Sequence, residues 1–223
     1  MPLSDNAQLS LRLLMGTFAG GELPEWDRVA ETAELVRIQP GESLFRQGEA
    51  HPFVYLLWRG LIKMHVSDPV DATLAFHEEN RVVAPVSAVR PAAFSRIYAG
   101  GRDPIPAELS ATMAGRCEYS ATALEESEAV RLDATMMEEL VRRHSMWAQT
   151  FLTLLYAQLV HATHDRYRLC TLSPEAHYRY LLKARPSLLA RLKQREVALY
   201  LGLSEAGMSR IVKRVRADTA AEQ

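Results

Sequence analysis

The chain has 223 residues, of which 48% are hydrophobic and 24% are charged, and its formal net charge is −1. This composition is typical of a globular chain with one large or two small domains. No apolar run approaches the ~18–20 residues that a membrane helix needs, and the N-terminus lacks the basic and apolar regions of a signal peptide. Because the only cysteines are Cys117 and Cys170, a disulfide framework and a four-cysteine zinc site are excluded, and we expect a cytoplasmic protein.

Positive charge is concentrated in the C-terminal part of the sequence. Residues 179–216 contain ten Lys or Arg and two acidic residues, which leaves 16 basic and 25 acidic residues elsewhere. A compact basic segment beside an acidic body favours a polyanionic partner such as nucleic acid. A solvated basic helix surface would give the same pattern, so charge alone leaves both interpretations open.

The first part of the chain predicts helices followed by strands. Residues 7–33 have helical character, and short apolar runs separated by turns follow over 35–77 and again over 119–132. Many short strands at close spacing indicate an antiparallel sandwich or roll. The proline- and glycine-rich segment 84–116 interrupts this pattern as an irregular excursion, with a helical turn predicted near 92–98. Long loops of this kind are either functional or disordered, and the sequence does not decide between them.

From Ala134 onwards the pattern is helical, with a short helix over 136–143 and a long one over 145–168. Two neighbouring apolar rows follow the long helix. The first row contains Ala148, Leu152, Leu155, Leu159 and Ala162, and the second contains Trp147, Phe151 and Leu154. A helix with two apolar rows has two surfaces to bury, so we expect one row to face its own β-domain and the first row to face a second copy. A single wide core-facing stripe in a monomer is the alternative.

The C-terminal segment has the pattern of a helix-turn-helix. Ser173-Pro174-Glu175 begins a helix, and 187–192 connects it to the next. Gly202 then ends one helix and Ser204 caps another. The predicted inner faces contain Val197, Ala198 and Leu201 in the first helix and Met208, Ile211 and Val215 in the second. Helix–Gly–helix pairs that serve only packing are common, so the pattern by itself favours DNA binding only moderately.

The polar residues of this segment match the contacts of a recognition helix with duplex DNA. Such a helix presents its N-terminal residues to base edges and its later cations to phosphates. The predicted base-reading residues are Glu205, Ala206, Ser209 and Arg210. The predicted phosphate contacts are Lys193, Arg195, Ser204, Lys213, Arg214 and Arg216.

These features together resemble the CRP/FNR family of bacterial transcription regulators over nearly the whole chain. The resemblance rests on the β-turn-β pattern of 38–49, the strand and Gly turn of 55–60, the closing strands of 123–132 and the recognition motif within 201–210. It implies an α+β fold with an N-terminal antiparallel β-roll of the cyclic-nucleotide-binding type, a long dimerisation helix and a C-terminal helix-turn-helix. The corresponding expected domains are 1–134, 135–170 and 171–223.

The resemblance also implies a homodimer on a pseudo-palindromic site in double-stranded DNA, a roll that senses a signal, and RNA polymerase as a further partner. FNR-like members carry N-terminal cysteines for an iron–sulfur centre, and since no cysteine precedes Cys117 that centre is excluded. Many members add a β-hairpin wing after the recognition helix. Residues 217–223 are too few for one, so we expect a wingless variant.

The effector pocket of this family is degraded in the sequence. Members that bind cyclic AMP hold its phosphate with backbone amides of a short helix and with an arginine before the closing strands. The matching positions here are Val83, Ala84 and Pro85, and Cys117 and Glu118. Pro85 has no amide hydrogen to donate and Glu118 would repel a phosphate, so we predict no tight binding of cyclic AMP.

Weaker signals leave other interpretations open. His161 and His164 could chelate a metal, although solvated histidines are commoner, and Cys117 could sense redox state, although a buried inert thiol is commoner. No nucleophile–base pattern, phosphate-binding Gly loop or metal-ligand quartet suggests an enzyme. The competing function is a ligand-binding signalling module whose C-terminal helices bind a protein instead of DNA.

Overall fold

The computed structural model describes residues 3–67, 70–89, 110 and 112–221, so the predicted helical turn at 92–98 lies outside the described residues. The strands are β1 (Glu34–Ile38), β2 (Ser43–Phe45), β3 (Phe53–Arg59), β4 (Ile62–Val66), β5 (Ala72–His77), β6 (Val82–Val83), β7 (Ser120–Ala123) and β8 (Ser127–Asp133). The helices are α1 (Asp5–Ala19), α2 (Trp26–Thr32), α3 (Ala134–Arg143), α4 (Ser145–Thr171), α5 (Pro174–Ala184), α6 (Pro186–Arg191), α7 (Gln194–Tyr200) and α8 (Glu205–Ala221).

The strands form two four-stranded antiparallel sheets with the orders β1-β8-β3-β6 and β2-β7-β4-β5. Apolar side chains of both sheets fill the space between them, and Phe45, Leu57 and Ile62 are each at most 2% exposed. The predicted antiparallel roll is therefore confirmed.

Gly60 makes the tight β3–β4 connection possible. Its φ of +106° lies where side chains are rarely tolerated, and a Cβ at this position would overlap Ser127. The Ser127 hydroxyl uses this space, because it lies 3.3 Å from the backbone N of Leu61 and accepts its hydrogen bond. The turn that the sequence indicates at 59–60 thus depends on glycine for both its dihedral angle and its packing.

The long helix α4 is anchored at its N-terminal end. Trp147 is 1% exposed, stacks on Trp26 with ring centroids 6.5 Å apart, and donates its indole N–H to the carbonyl oxygen of Pro24 at 2.8 Å. Phe151 and Leu154 of the same row are half-buried. No helix in the described part of the chain has the length and apolar character that a bilayer crossing requires.

The C-terminal helical unit, defined as α5–α8, packs against the roll. Leu61 and Phe76 of the roll share one apolar cluster with Leu188, Val197 and residues of α8, and the cluster also contains Tyr200. Phe76 and Tyr200 are in direct contact, with ring centroids 5.4 Å apart. The sequence analysis treated 187–192 as a plain connector, which is wrong, because Pro186–Arg191 forms α6 and buries Leu188 in this cluster.

Ion pairs surround that apolar contact. Arg191 donates hydrogen bonds to two carboxylates of the roll, with its Nη2 2.8 Å from Glu79 Oε1 and 2.6 Å from Glu125 Oε1, and its Nη1 lies 3.9 Å from Glu78 Oε1. Burial would raise the pKa of Glu79, but hydrogen bonds from Arg191 and from backbone N–H groups, including that of Gly60, hold it below the usual value. Arg185 pairs with Glu78, which directly precedes Glu79 in the sequence. We call the face formed by Arg185, Arg191 and Tyr200 the inner face of the C-terminal unit.

Candidate nucleic-acid interface

The turn between α7 and α8 has the geometry that the sequence predicts. Gly202 adopts a φ of +67°, and the N–H of Leu203 donates to the carbonyl oxygen of Ala198 at 2.9 Å. Ser204 caps α8, because its hydroxyl oxygen accepts the N–H of Gly207 at 3.1 Å. Two helices are therefore joined by a short turn that fixes their crossing.

Small and apolar side chains fix the two helices against each other. Ala198 of α7 and Met208 of α8 are each 1% exposed and belong to the same cluster. Ile211 and Val215 are also buried, and they continue the same side of α8 at helical spacing. Since this side of α8 is inward, its opposite side faces solvent.

The predicted base-reading residues lie at the N-terminal end of that solvent side. Glu205, Ala206 and Arg210 are exposed, and Ser209 is half-buried. Ala206, Arg210 and Lys213 follow an i, i+4, i+7 pattern and so share one helix face. Glu205 has a neighbour on α7, since its Oε1 lies 3.7 Å from Arg195 Nε and both side chains are mostly exposed.

The predicted phosphate contacts are all exposed, but their charges are not equally available. Lys193, Arg210, Lys213 and Arg216 form no ion pair with any carboxylate in the described residues. We call the surface formed by these four residues the outer face. Arg214 differs, because its Nε lies 2.9 Å from Glu175 Oε2 on α5.

The sequence analysis missed the partners of Arg214. Glu175 also contacts Arg179, with an Oε1–Nη2 distance of 3.0 Å, and Arg179 pairs in turn with Asp218 of α8. The i, i+4 spacing of Glu175 and Arg179 was a signal in the sequence that could have been used. The contacts between α5 and α8 carry no local signal, since they join positions 39 residues apart.

The predicted effector pocket is occupied by the chain's own side chains. Glu118 Oε2 accepts the N–H of Val86, the first residue of a 3-10 turn over Val86–Val89, at 3.1 Å. The hydroxyl of Tyr119 donates to the carbonyl oxygen of Ala84 at 2.7 Å. Val83 is fully buried in the core of the roll, and Pro85 is buried too. A carboxylate therefore accepts a backbone N–H at the position that the sequence analysis matched to the phosphate site of the resembled family.

Two weaker candidates receive little support. Cys117 is 0% exposed, and burial raises the pKa of its thiol to about 11, so it is protonated at neutral pH and a poor nucleophile. His161 and His164 are both exposed on α4. Among the described residues, no group of three or more His, Cys, Asp or Glu side chains could hold a metal ion.

Comparisons with known proteins identify the fold. No protein-family model matches the chain, and no curated protein matches it in sequence. Solved structures do match. FixK2 from Bradyrhizobium japonicum is 16% identical, with a TM-score of 0.62 over 84% of this chain and 86% of that chain. A putative transcriptional regulator of the crp/fnr family from Eubacterium rectale is 12% identical, with a TM-score of 0.63 over 88% of each chain. The c-di-GMP responsive global regulator CLP from Xanthomonas campestris is 15% identical, with a TM-score of 0.59 over 96% of this chain and 93% of that chain.

Proposed function

We propose that this chain, which has the fold of the CRP/FNR regulators, is a transcription regulator that binds duplex DNA in a sequence-specific manner. The proposal is supported by the outer face, whose four cations have no ion-pair partners among the described residues; Arg210, Lys213 and Arg216 lie on the exposed side of the capped helix α8, and Lys193 directly precedes α7. Arg210 is the residue best suited to a bidentate contact with guanine. Glu205 is best suited to accept a hydrogen bond from the amino group of cytosine. The proposed phosphate contacts are Lys193, Arg195, Ser204, Lys213, Arg214 and Arg216, of which Arg214 is paired with Glu175 in the free chain.

The proposed regulator is a homodimer that pairs through the first apolar row of α4. Leu152, Leu155 and Leu159 are 66%, 45% and 63% exposed in the single chain, whereas the neighbouring row containing Trp147 is packed against the chain itself. Exposed apolar residues in a continuous helical row favour an interface with a second copy. Ala148 and Ala162 extend the row at both ends and allow close approach of the partner helix. The alternative of a single core-facing stripe does not account for this exposure.

The roll is proposed not to respond to cyclic AMP, because Glu118 occupies the amide of Val86 and adds a negative charge there. The chain either acts without an effector or uses one that is not a cyclic nucleotide. In this proposal 1–134 forms the roll, 135–170 the dimerisation segment and 171–223 the DNA-binding unit. The dimer acts in the cytoplasm on RNA polymerase at promoters.

Selection of binding sites from a random duplex library tests the proposal. The full chain should enrich a pseudo-palindrome whose half-sites lie about one DNA turn apart. Binding without any enriched sequence would contradict it and would favour the signalling module that binds a protein partner.

The dimer has its own test. Leu159→Asp should reduce the mass in solution from twice the 25.0 kDa chain mass to the chain mass, because a charge would be buried in the apolar contact. Val70→Asp is a matched control, since Val70 is 65% exposed in the roll and away from α4. A wild-type chain that is monomeric at micromolar concentration would contradict the dimer.

A further inference from the structure

The contact between α5 and α8 includes a row of four charges of alternating sign beside its apolar part. Arg214 pairs with Glu175 at 2.9 Å, Glu175 pairs with Arg179 at 3.0 Å, and Arg179 pairs with Asp218. Each helix contributes two of these residues at i, i+4 spacing, so the four side chains lie side by side across the helix–helix contact. The hydrogen bonds that Arg179 donates to Glu175 and Asp218 raise the pKa of its guanidinium above the usual value.

We infer that Glu175 competes with DNA phosphate for Arg214 and so limits the affinity of the protein for all duplexes. This inference rests on the proposed function. In the free protein the guanidinium of Arg214 is neutralised by a carboxylate, whereas the neighbouring Lys213 has no carboxylate partner among the described residues. Before DNA binds, Arg214 is therefore paired with a carboxylate, whereas the adjacent Lys213 is not.

The exposure of the pair makes the competition possible. The Arg214 side chain is 62% exposed, so phosphate can reach it, while Glu175 is only 27% exposed and is held on the other side by Arg179. An exposed ion pair of this kind contributes little to stability, because water screens the attraction between the two charges. A phosphate contact is of similar strength, so the exchange of carboxylate for phosphate gives little net affinity. Glu175 thus affects DNA binding only through Arg214 and does not touch the DNA itself.

The test compares Glu175→Gln with the wild-type chain by measuring affinity for several unrelated duplexes over a range of salt concentrations. The substitution frees Arg214 to contact one further phosphate. The slope of log K, the logarithm of the DNA-binding constant, against log salt concentration should therefore become steeper by about 0.9, which corresponds to roughly eightfold tighter binding at about 0.1 M salt. The ratio of affinities between duplexes should stay the same, since no base contact changes. Glu22→Gln is the matched control, because Glu22 is 88% exposed and pairs with Arg12 of α1.

Double variants separate this account from a general effect of charge. In a protein that already carries Arg214→Ala, the additional substitution Glu175→Gln should no longer tighten DNA binding. Arg214→Ala by itself should reduce the salt slope less than Lys213→Ala does. If Glu175→Gln instead binds more weakly, or if its gain persists in the Arg214→Ala background, the inference is wrong. Should the wild-type chain bind no duplex at all, the proposed function fails first.

Discussion

The inner and outer faces of the C-terminal unit both carry cations, but they differ in whether carboxylates neutralise these cations. On the inner face Arg185 and Arg191 are neutralised by carboxylates of the roll around a buried aromatic contact. On the outer face Lys213 and Arg210 are exposed and have no ion-pair partner among the described residues. The difference shows that net charge in sequence does not measure the charge that is available to a polyanion. We therefore expect the cations that the fold leaves without carboxylate partners to contribute most to DNA binding.

We therefore expect substitutions on the two faces to affect different properties of the protein. Substitutions on the inner face should alter the free energy of unfolding. Substitutions on the outer face should leave stability within about 0.5 kcal/mol of wild type and alter only DNA binding.

His77 of the roll, which is influenced by the charge of Arg185 on the inner face, should make the stability of the chain sensitive to acid. It is 8% exposed at the end of β5, and burial, with the charges of Arg81 and Arg185, lowers its pKa from 6.5 to about 4. The unfolded chain takes up the proton near pH 6.5 and the folded chain does so only near pH 4, so stability that is present above pH 6.5 is lost as the pH falls to 4. Between these values wild type should lose about 3 kcal/mol more of its free energy of unfolding than His77→Gln does.

Urea unfolding at a series of pH values measures this difference. An identical pH profile for wild type and His77→Gln would show that His77 is not the group responsible.

Arg191→Ala should destabilise the chain by about 2 kcal/mol, because Glu79 and Glu125 would lose their partner in a partly desolvated contact. Thermal or urea unfolding measures the loss. Arg37→Ala is the matched control, since Arg37 is 68% exposed and its pair with Glu128 lies at the surface, where the cost is below about 1 kcal/mol. Equal effects of the two substitutions would remove the distinction between the inner face and an ordinary surface.

Arg210→Ala should leave unfolding unchanged but reduce the preference for the selected site by about 1–3 kcal/mol, because a base contact is lost. Competition between the selected duplex and single-base variants measures this. Loss of preference confined to one position of each half-site is expected. A uniform loss across all duplexes would assign Arg210 to phosphate.

Lys213→Ala should have the smallest effect. Affinity for all duplexes should fall together, and the slope of log K against log salt should decrease by about 0.9 because one fewer counterion is released. Fluorescence anisotropy over a salt series measures both quantities. A changed order of preference among duplexes would contradict the assignment of Lys213 to phosphate.

Local signals in the sequence were enough for the roll, for α4 and for the turn around Gly202. Alternating apolar residues, a two-row helix and a positive-φ glycine each depend on a few neighbouring positions. The exposed row of α4 and the cap at Ser204 follow from such patterns. This part of the fold is confirmed by the structure, and the fold class by the solved structures.

What the sequence could not indicate were contacts between distant positions. Arg191 was counted in the basic segment 179–216, but it lies on the inner face and pairs with Glu125, 66 residues away. Arg214 was treated like Lys213, although Glu175 holds it. Such pairs depend on how whole elements pack, and no local pattern records that packing. The assignments of base-reading and phosphate residues stay predictions.

The central claim is that the outer face reads sequence in duplex DNA. It is tested most directly by the affinity of the wild-type chain for the selected duplex and for a scrambled duplex of equal length and composition, at the same salt concentrations. We expect the selected duplex to bind at least about 10³-fold more tightly at physiological salt, with both affinities falling as salt rises. Equal affinity for the two duplexes throughout the salt series would contradict the account.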